Sequence, residues 1–102
     1  MKVYICGPIT GTPDLNKKAF QLAEDRLRAA GHDPVNPHYV CADIPAGAEH
    51  GVFMIRWIAA LRKCDCMVTL PGYTESIGAQ QELLEARWLG TPLYSIDDLE
   101  GK

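Results

Sequence analysis

The sequence has no surplus of positive charge. Lys and Arg number 10 against 13 Asp and Glu, which leaves a formal net charge of −3. Nothing in this balance would neutralise a phosphate backbone, so a nucleic acid polymer is excluded as a sequence-independent partner. No apolar run approaches the ~20 residues that a membrane span requires, so no membrane partner is expected. A basic segment followed by an apolar stretch is also missing at the start, and a cytoplasmic location is expected. Cysteine occurs four times, at Cys6, Cys41, Cys64 and Cys66, with no C-x-x-C spacing. Cys64-Asp65-Cys66 is too tight for the usual zinc hook, and Cys6 sits inside an apolar, strand-like run. Buried free thiols are expected, rather than disulfides or a metal site. No metal and no cofactor is implied.

What remains is an ordinary globular composition, with 47% hydrophobic and 23% charged residues in 102. That length allows one domain, 1–102. Lys2 to Cys6 reads as a short buried strand ended by Gly7-Pro8. Thr12-Pro13-Asp14 reads as a helix start, and the helix runs to about Ala30. Leu15, Ala19, Ala23, Leu27 and Ala30 give it one apolar face, and Gly31 stops it. His32 to Val35 forms a second strand, ended by Asn36-Pro37. Residues 38–50 lack periodicity and read as a loop. A second helix fits 51–63, with Met54, Ile58 and Leu61 on one face and Phe53 and Trp57 on another. Met67 to Leu70 is a third strand, broken by Pro71-Gly72. A third helix spans about 77–89 and stops at Gly90. Residues 92–96 make a fourth strand, followed by an acidic tail.

The alternation β-α-β-α-β-α-β implies a parallel sheet with helices on both faces. The expected fold is α/β, a three-layer flavodoxin-like (Rossmann-like) sheet of about four strands in an order near 2-1-3-4. Such sheets bind ligands beyond the carboxyl ends of the strands where strand order reverses, here between strands one and three. Two loops leave that edge, Gly7-Pro8-Ile9-Thr10-Gly11-Thr12 and Pro71 to Gly78. Both carry glycines and hydroxyls and lead into helix N-termini, which favour anions. They read either as a cradle for a ribose or phosphate or as tight strand-to-helix turns. The first is neither G-x-G-x-x-G nor a P-loop.

Glu82 follows Ser76 by six positions and Gly78 by four, and its helical neighbours are mostly small and apolar. It is either a partly desolvated carboxylate directed into the cleft or an exposed helix residue paired with an arginine. Asn16 either reaches a ligand or caps its own helix. Asp65 and His32 fall at the opposite, amino-terminal edge of the sheet, and Asp65 reads as a turn residue. His38 and His50 fall on the site's side without forming a metal site.

Several fragments together resemble a known family. They are Tyr4-Ile5-Cys6-Gly7-Pro8-Ile9-Thr10-Gly11, then Pro13, Asn16 and Phe20, then Gly31-His32 and Asn36-Pro37. Cys64-Asp65, Leu70-Pro71-Gly72, Ser76, Gly78-Ala79 and Glu82 continue the match along nearly the whole chain. This pattern resembles a small branch, common in phage genomes, of the nucleoside 2-deoxyribosyltransferase superfamily, which also includes deoxynucleoside 5′-monophosphate N-glycosidases. The resemblance implies that Glu82 is the nucleophile that attacks C1′ of a deoxyribose and that Tyr4 orients it. It implies substrate binding by Gly7, Pro8, Ile9, Thr10, Gly11, Asn16, Gly72, Ser76 and Gly78. Water then gives a hydrolase and a second base gives a transferase.

The chain departs from that pattern at two places. Pro8 and Thr10 replace a serine and an arginine that hold phosphate in the monophosphate branch. Trp57 stands where the superfamily places the aspartate that protonates the leaving base, and the adjoining loop offers Asp43, Glu49 or His50 instead. The implied partner is a small-molecule nucleoside or nucleotide, and the implied assembly is a homo-oligomer. Apolar rows at Phe53 and Trp57, and at Leu84 and Trp88, suit such an interface. The competing expectation is a non-catalytic nucleotide-binding module built on the same pocket.

Overall fold

The computed structural model describes residues 1–9 and 12–101. Four strands form one sheet: β1 (Lys2–Cys6), β2 (Asp33–Val35), β3 (Cys66–Thr69) and β4 (Leu93–Tyr94). Their order is β2-β1-β3-β4 and every pairing is parallel. The expected α/β fold, strand order and parallel sense are therefore what the chain adopts. Among the described residues five α-helices connect and cover the strands: α1 (Lys17–Ala29), α2 (Pro37–Val40), α3 (His50–Leu61), α4 (Ile77–Leu89) and α5 (Ile96–Glu100). None of the described helices is long and apolar enough to cross a membrane.

The two-residue period of a strand sends alternate side chains to opposite faces. In β1, Val3 and Ile5 meet Phe20, Ala23 and Leu27 of α1 on one face. Tyr4 and Cys6 meet Trp57 and Leu61 of α3 and Ala79, Leu83 and Ala86 of α4 on the other. Two apolar cores, one on each side of a single sheet, make the three layers. The central strands are fully covered, as a parallel sheet requires. The four cysteines are free thiols; Cys6, Cys41 and Cys66 are buried and Cys64 is half-buried.

Several boundaries differ from the sequence expectations. The first helix begins at Lys17, not at Thr12-Pro13. Pro13–Asn16 is a tight 3-10 turn in which Asp14, Leu15 and Asn16 have φ of 50°, 54° and 60°. Three consecutive side-chain-bearing residues in the left-handed region cannot belong to a right-handed helix. Leu15 accordingly leaves the apolar stripe and is exposed. The segment expected as a loop from 38 to 50 opens with α2, which Asn36 caps by accepting a hydrogen bond from His38 N at 3.0 Å. The second helix spans His50–Leu61. Trp57 lies 7% exposed in the core, and its indole N–H donates to Pro37 O at 3.1 Å, so it contributes no apolar row outside the core.

The fourth strand shrinks to two residues, and the expected acidic tail is α5. Ser95 and Asp98 close a reciprocal capping box there, Ser95 Oγ accepting from Asp98 N at 3.0 Å and Asp98 Oδ2 from Ser95 N at 3.2 Å. The box turns Leu99 into the α1 core, where it is fully buried. Leu99→Ala should lower the unfolding free energy by about 2–4 kcal/mol, as a buried leucine truncation does. Urea denaturation checks this, and a loss below ~1 kcal/mol would mean that α5 is not part of the core.

Candidate functional site

The cleft at the carboxyl edge of the sheet begins with Gly7. A Cβ placed there would stand 2.9 Å from Leu70 Cβ, so only glycine lets the chain leave β1 alongside the end of β3. The turn after β3 makes a similar demand. Gly72 has φ of 87° and its position faces Pro8 Cγ at 3.3 Å, which locks the two loops against each other. Asn16 Nδ2 donates to Pro8 O at 3.0 Å. Asn16 therefore neither caps α1 nor reaches the cleft; it ties the first loop back to its own turn. Pro8 and Gly72 likewise support the cleft without lining it. Thr10 and Gly11 lie outside the described residues.

Ser76 caps α4, its Oγ accepting from Ala79 N at 3.3 Å. From there Ala79, Glu82, Leu83 and Ala86 form a buried stripe at i, i+3, i+4 and i+7. Glu82 thus occupies a core position and is only 3% exposed. No arginine pairs with it. Tyr4 Oη donates to Glu82 Oε2, and the Cys6 thiol lies on the same side and donates to Ala79 O at 3.5 Å. The chain brings strand residue and helix residue together across 78 positions of sequence.

Burial dominates the electrostatics of this pair. It pushes the Glu82 carboxyl up to about 7, while the Tyr4 hydrogen bond and the neighbouring Cys6 thiol pull in the other direction. The same burial, with the Glu82 charge beside them, raises both Tyr4 and Cys6, so each keeps its proton and acts as a donor. Glu82 forms the floor of a cleft of about 390 Å³. One wall carries Gly7 and Ile9, and another carries Ser76, Gly78 and Ala79. Sequence reasoning assigned Tyr4, Gly7, Ile9, Ser76, Gly78 and Glu82 to one place, and the fold brings them there.

Glu75 and Ile77, within the Pro71–Gly78 loop but not singled out from the sequence, also line the cleft; Glu75 ends a 3-10 turn over Tyr73–Glu75 and Ile77 opens α4. His50 and Trp57 complete the lining from α3. The remaining candidates go elsewhere. Both carboxylate oxygens of Asp43 pair with Arg56, at 2.9 and 3.0 Å. Asp65 accepts from Lys2 N at 2.8 Å at the opposite edge, which is the turn role expected of it. His38 stacks edge-on against Phe20, and burial holds its imidazole below the usual range. Among the described residues no three His, Cys, Asp or Glu side chains converge to hold a metal ion.

The raised Glu82 value has a consequence for stability. The folded carboxyl titrates near 7 against an ordinary 4.5, so the native state binds the proton more tightly than the unfolded chain does. Its contribution is intact below pH 4.5 and is lost as pH rises through 7. Wild type should lose about 3 kcal/mol of unfolding free energy between pH 4.5 and pH 8 beyond any loss in Glu82→Gln. Urea titrations of both proteins across this range test it; parallel pH profiles would show that Glu82 is not desolvated.

The architecture is shared with solved structures, three of which follow. The 2-deoxyribosyltransferase of the psychrotolerant bacterium Bacillus psychrosaccharolyticus matches with a TM-score of 0.72 at 19% identity, over 91% of this chain and 69% of its own. The corresponding transferase of Leishmania mexicana gives 0.69 at 19% identity, over 92% and 62%. The CMP N-glycosidase BcmB of Clostridium botulinum gives 0.62 at 18%, over 91% and 66%. The chain thus spans between 62% and 69% of the length of these proteins. At such identities the likeness establishes a common fold. No curated protein matches the sequence. The family model described as "Domain of unknown function (DUF4406)" covers residues 1–95, and the chain belongs to that family.

Proposed function

We propose that the protein cleaves or transfers the N-glycosidic bond of deoxynucleosides or their monophosphates, with Glu82 as nucleophile. The observation that carries this reading is a carboxylate buried at the base of an open cleft and aimed by the hydroxyl of Tyr4. A glycosyl transfer of this kind passes through an oxocarbenium-like state, which a close carboxylate stabilises and then captures at C1′. The Tyr4 hydroxyl fixes one carboxylate oxygen and leaves the other for the sugar. Attack of water on the glycosyl ester completes hydrolysis; attack of a second base completes transfer. Gly7, Ile9, Ser76 and Gly78 hold the sugar and its 5′ substituent in this scheme. The 2-deoxyribosyltransferase and CMP N-glycosidase folds support the reaction class.

One observation favours a second reading. Trp57, at the position where the superfamily resemblance places an acid, is buried with its N–H bound to Pro37 O. A nucleotide-binding module without turnover would account for that residue.

We further propose a homo-oligomer. Ile77 on the cleft rim, Leu84 and Trp88 are exposed along one face of α4, Trp88 by 86%. An exposed apolar row that begins at the cleft rim and ends on a tryptophan suits an interface with a second copy of the chain.

A panel of deoxynucleosides and monophosphates should yield free base with wild type, and Glu82→Gln should reduce release by at least ~10³-fold. Saturable binding with no base release would favour the module instead. The ascending limb of kcat/KM should lie near pH 7, where Glu82 ionises. Tyr4→Phe removes a donor that favours the carboxylate, so this limb should move to higher pH; a shift to lower pH would contradict the assigned role. In sedimentation, Trp88→Ala should dissociate the assembly to monomers, and a wild type that is already monomeric would remove the oligomer proposal.

A further inference from the structure

His50 opens α3 and lines the cleft, yet the scheme above gives it no task. Its ring stands edge-on to Trp57, with centroids 6.3 Å apart and planes at 71°. It also stands over Gly78. A Cβ at that position would lie 3.4 Å from the imidazole Cε1 and 3.7 Å from Nε2, so glycine keeps the space beneath the ring clear. Gly78 precedes Glu82 by one helical turn on the same face of α4, a rise of about 6 Å. Helical side chains lean toward the N-terminus, which brings the Glu82 carboxyl toward the level of the ring. The imidazole on α3 and the carboxylate on α4 thus line one cleft, offset by about one helical turn along α4.

A base leaving C1′ carries away the electron pair of the C–N bond, and a proton delivered to it lowers the barrier. Glu75 also lines the cleft and is the rival that the test below separates from His50; the remaining groups are poorly suited to deliver a proton. Both oxygens of Asp43 are held by Arg56, Glu49 precedes α3 without lining the cleft, and the Trp57 indole is engaged with Pro37 O. We propose that His50 is the general acid for the leaving base, an inference that rests on the glycosyl-transfer reading of Glu82. As a Glu82 oxygen forms its bond to C1′, the C1′–N bond breaks and its electron pair takes the imidazolium proton. The neutral imidazole then accepts a proton from the water or second base that releases the sugar from Glu82. The titratable groups sharing the cleft with His50 are Glu75 and Glu82, and Glu49 is its neighbour in the chain.

The test compares two substrates, 2′-deoxyguanosine and 7-methyl-2′-deoxyguanosine, supplied as nucleosides and as 5′-monophosphates. The methylated base is already cationic and departs without a proton. His50→Gln should lose at least ~10²-fold in kcat/KM on the unmethylated substrate and under ~10-fold on the methylated one. His50→Asn, a second substitution at this exposed helix start, should show the same contrast. Equal losses on both substrates overturn the assignment, as does a contrast that appears in Glu75→Gln but not at His50. If wild type releases neither base from any of the four compounds, the glycosyl-transfer reading falls, and the His50 assignment with it. Release by wild type with equal losses in the variants removes only His50.

Discussion

The hydrogen bond between Tyr4 and Glu82 imposes a demand that much of one face of the molecule meets. A carboxylate that is 3% exposed pays a desolvation penalty unless a donor stands at hand. The donor sits on the central strand, so α4 must lie close against β1. Small residues make that approach possible. Ala79 and Ala86 are almost fully buried on the helix face that carries Glu82, and Leu83 fills the gap toward α3. A larger stripe would lift the helix and leave the carboxylate without its partner.

The same constraint explains why the cleft sits where it does. β1 and β3 are neighbours, and their following loops part to opposite faces of the sheet, which leaves an opening at the carboxyl edge. Gly7 and Gly72 bring the two loops into contact beneath that opening, while the first turns of α3 and α4 form its sides. The result is a site with a rigid floor made of strand and helix and a rim made of short turns. Charge is placed in the floor, where the low-dielectric surroundings strengthen its effect on anything bound above it.

Sequence patterning made most of this legible. Strand alternation, helix stops at Gly31 and Gly90, and the order of elements were enough for the sheet topology. Glu82 was marked by its place among Gly78, Ala79, Leu83 and Ala86, a polar residue on a stripe that is otherwise small and apolar. The failures came where local preference met a tertiary demand. Thr12-Pro13-Asp14 carries a good helix-start pattern, yet Asp14 to Asn16 adopt left-handed conformations that let Asn16 reach Pro8 O. The acidic C-terminal stretch reads only as a tail, because a single buried leucine within five residues gives no periodicity. Its capping box was visible as Ser95-Ile96-Asp97-Asp98.

By itself the sequence determined the class of fold and the strand order, and it marked the edge and the residues proposed as the ligand site. These depend on local periods and on the handedness of connections, which are properties of short segments. Only the tertiary structure decided which of two roles each ambiguous residue takes. Glu82 became a buried acceptor rather than an exposed partner of an arginine. Trp57 became core rather than surface, Asn16 became a tie within a turn, and His50 came to face the cleft. Such outcomes depend on which side chains meet across long stretches of chain, and the 78 positions between Tyr4 and Glu82 carry no local record of that meeting.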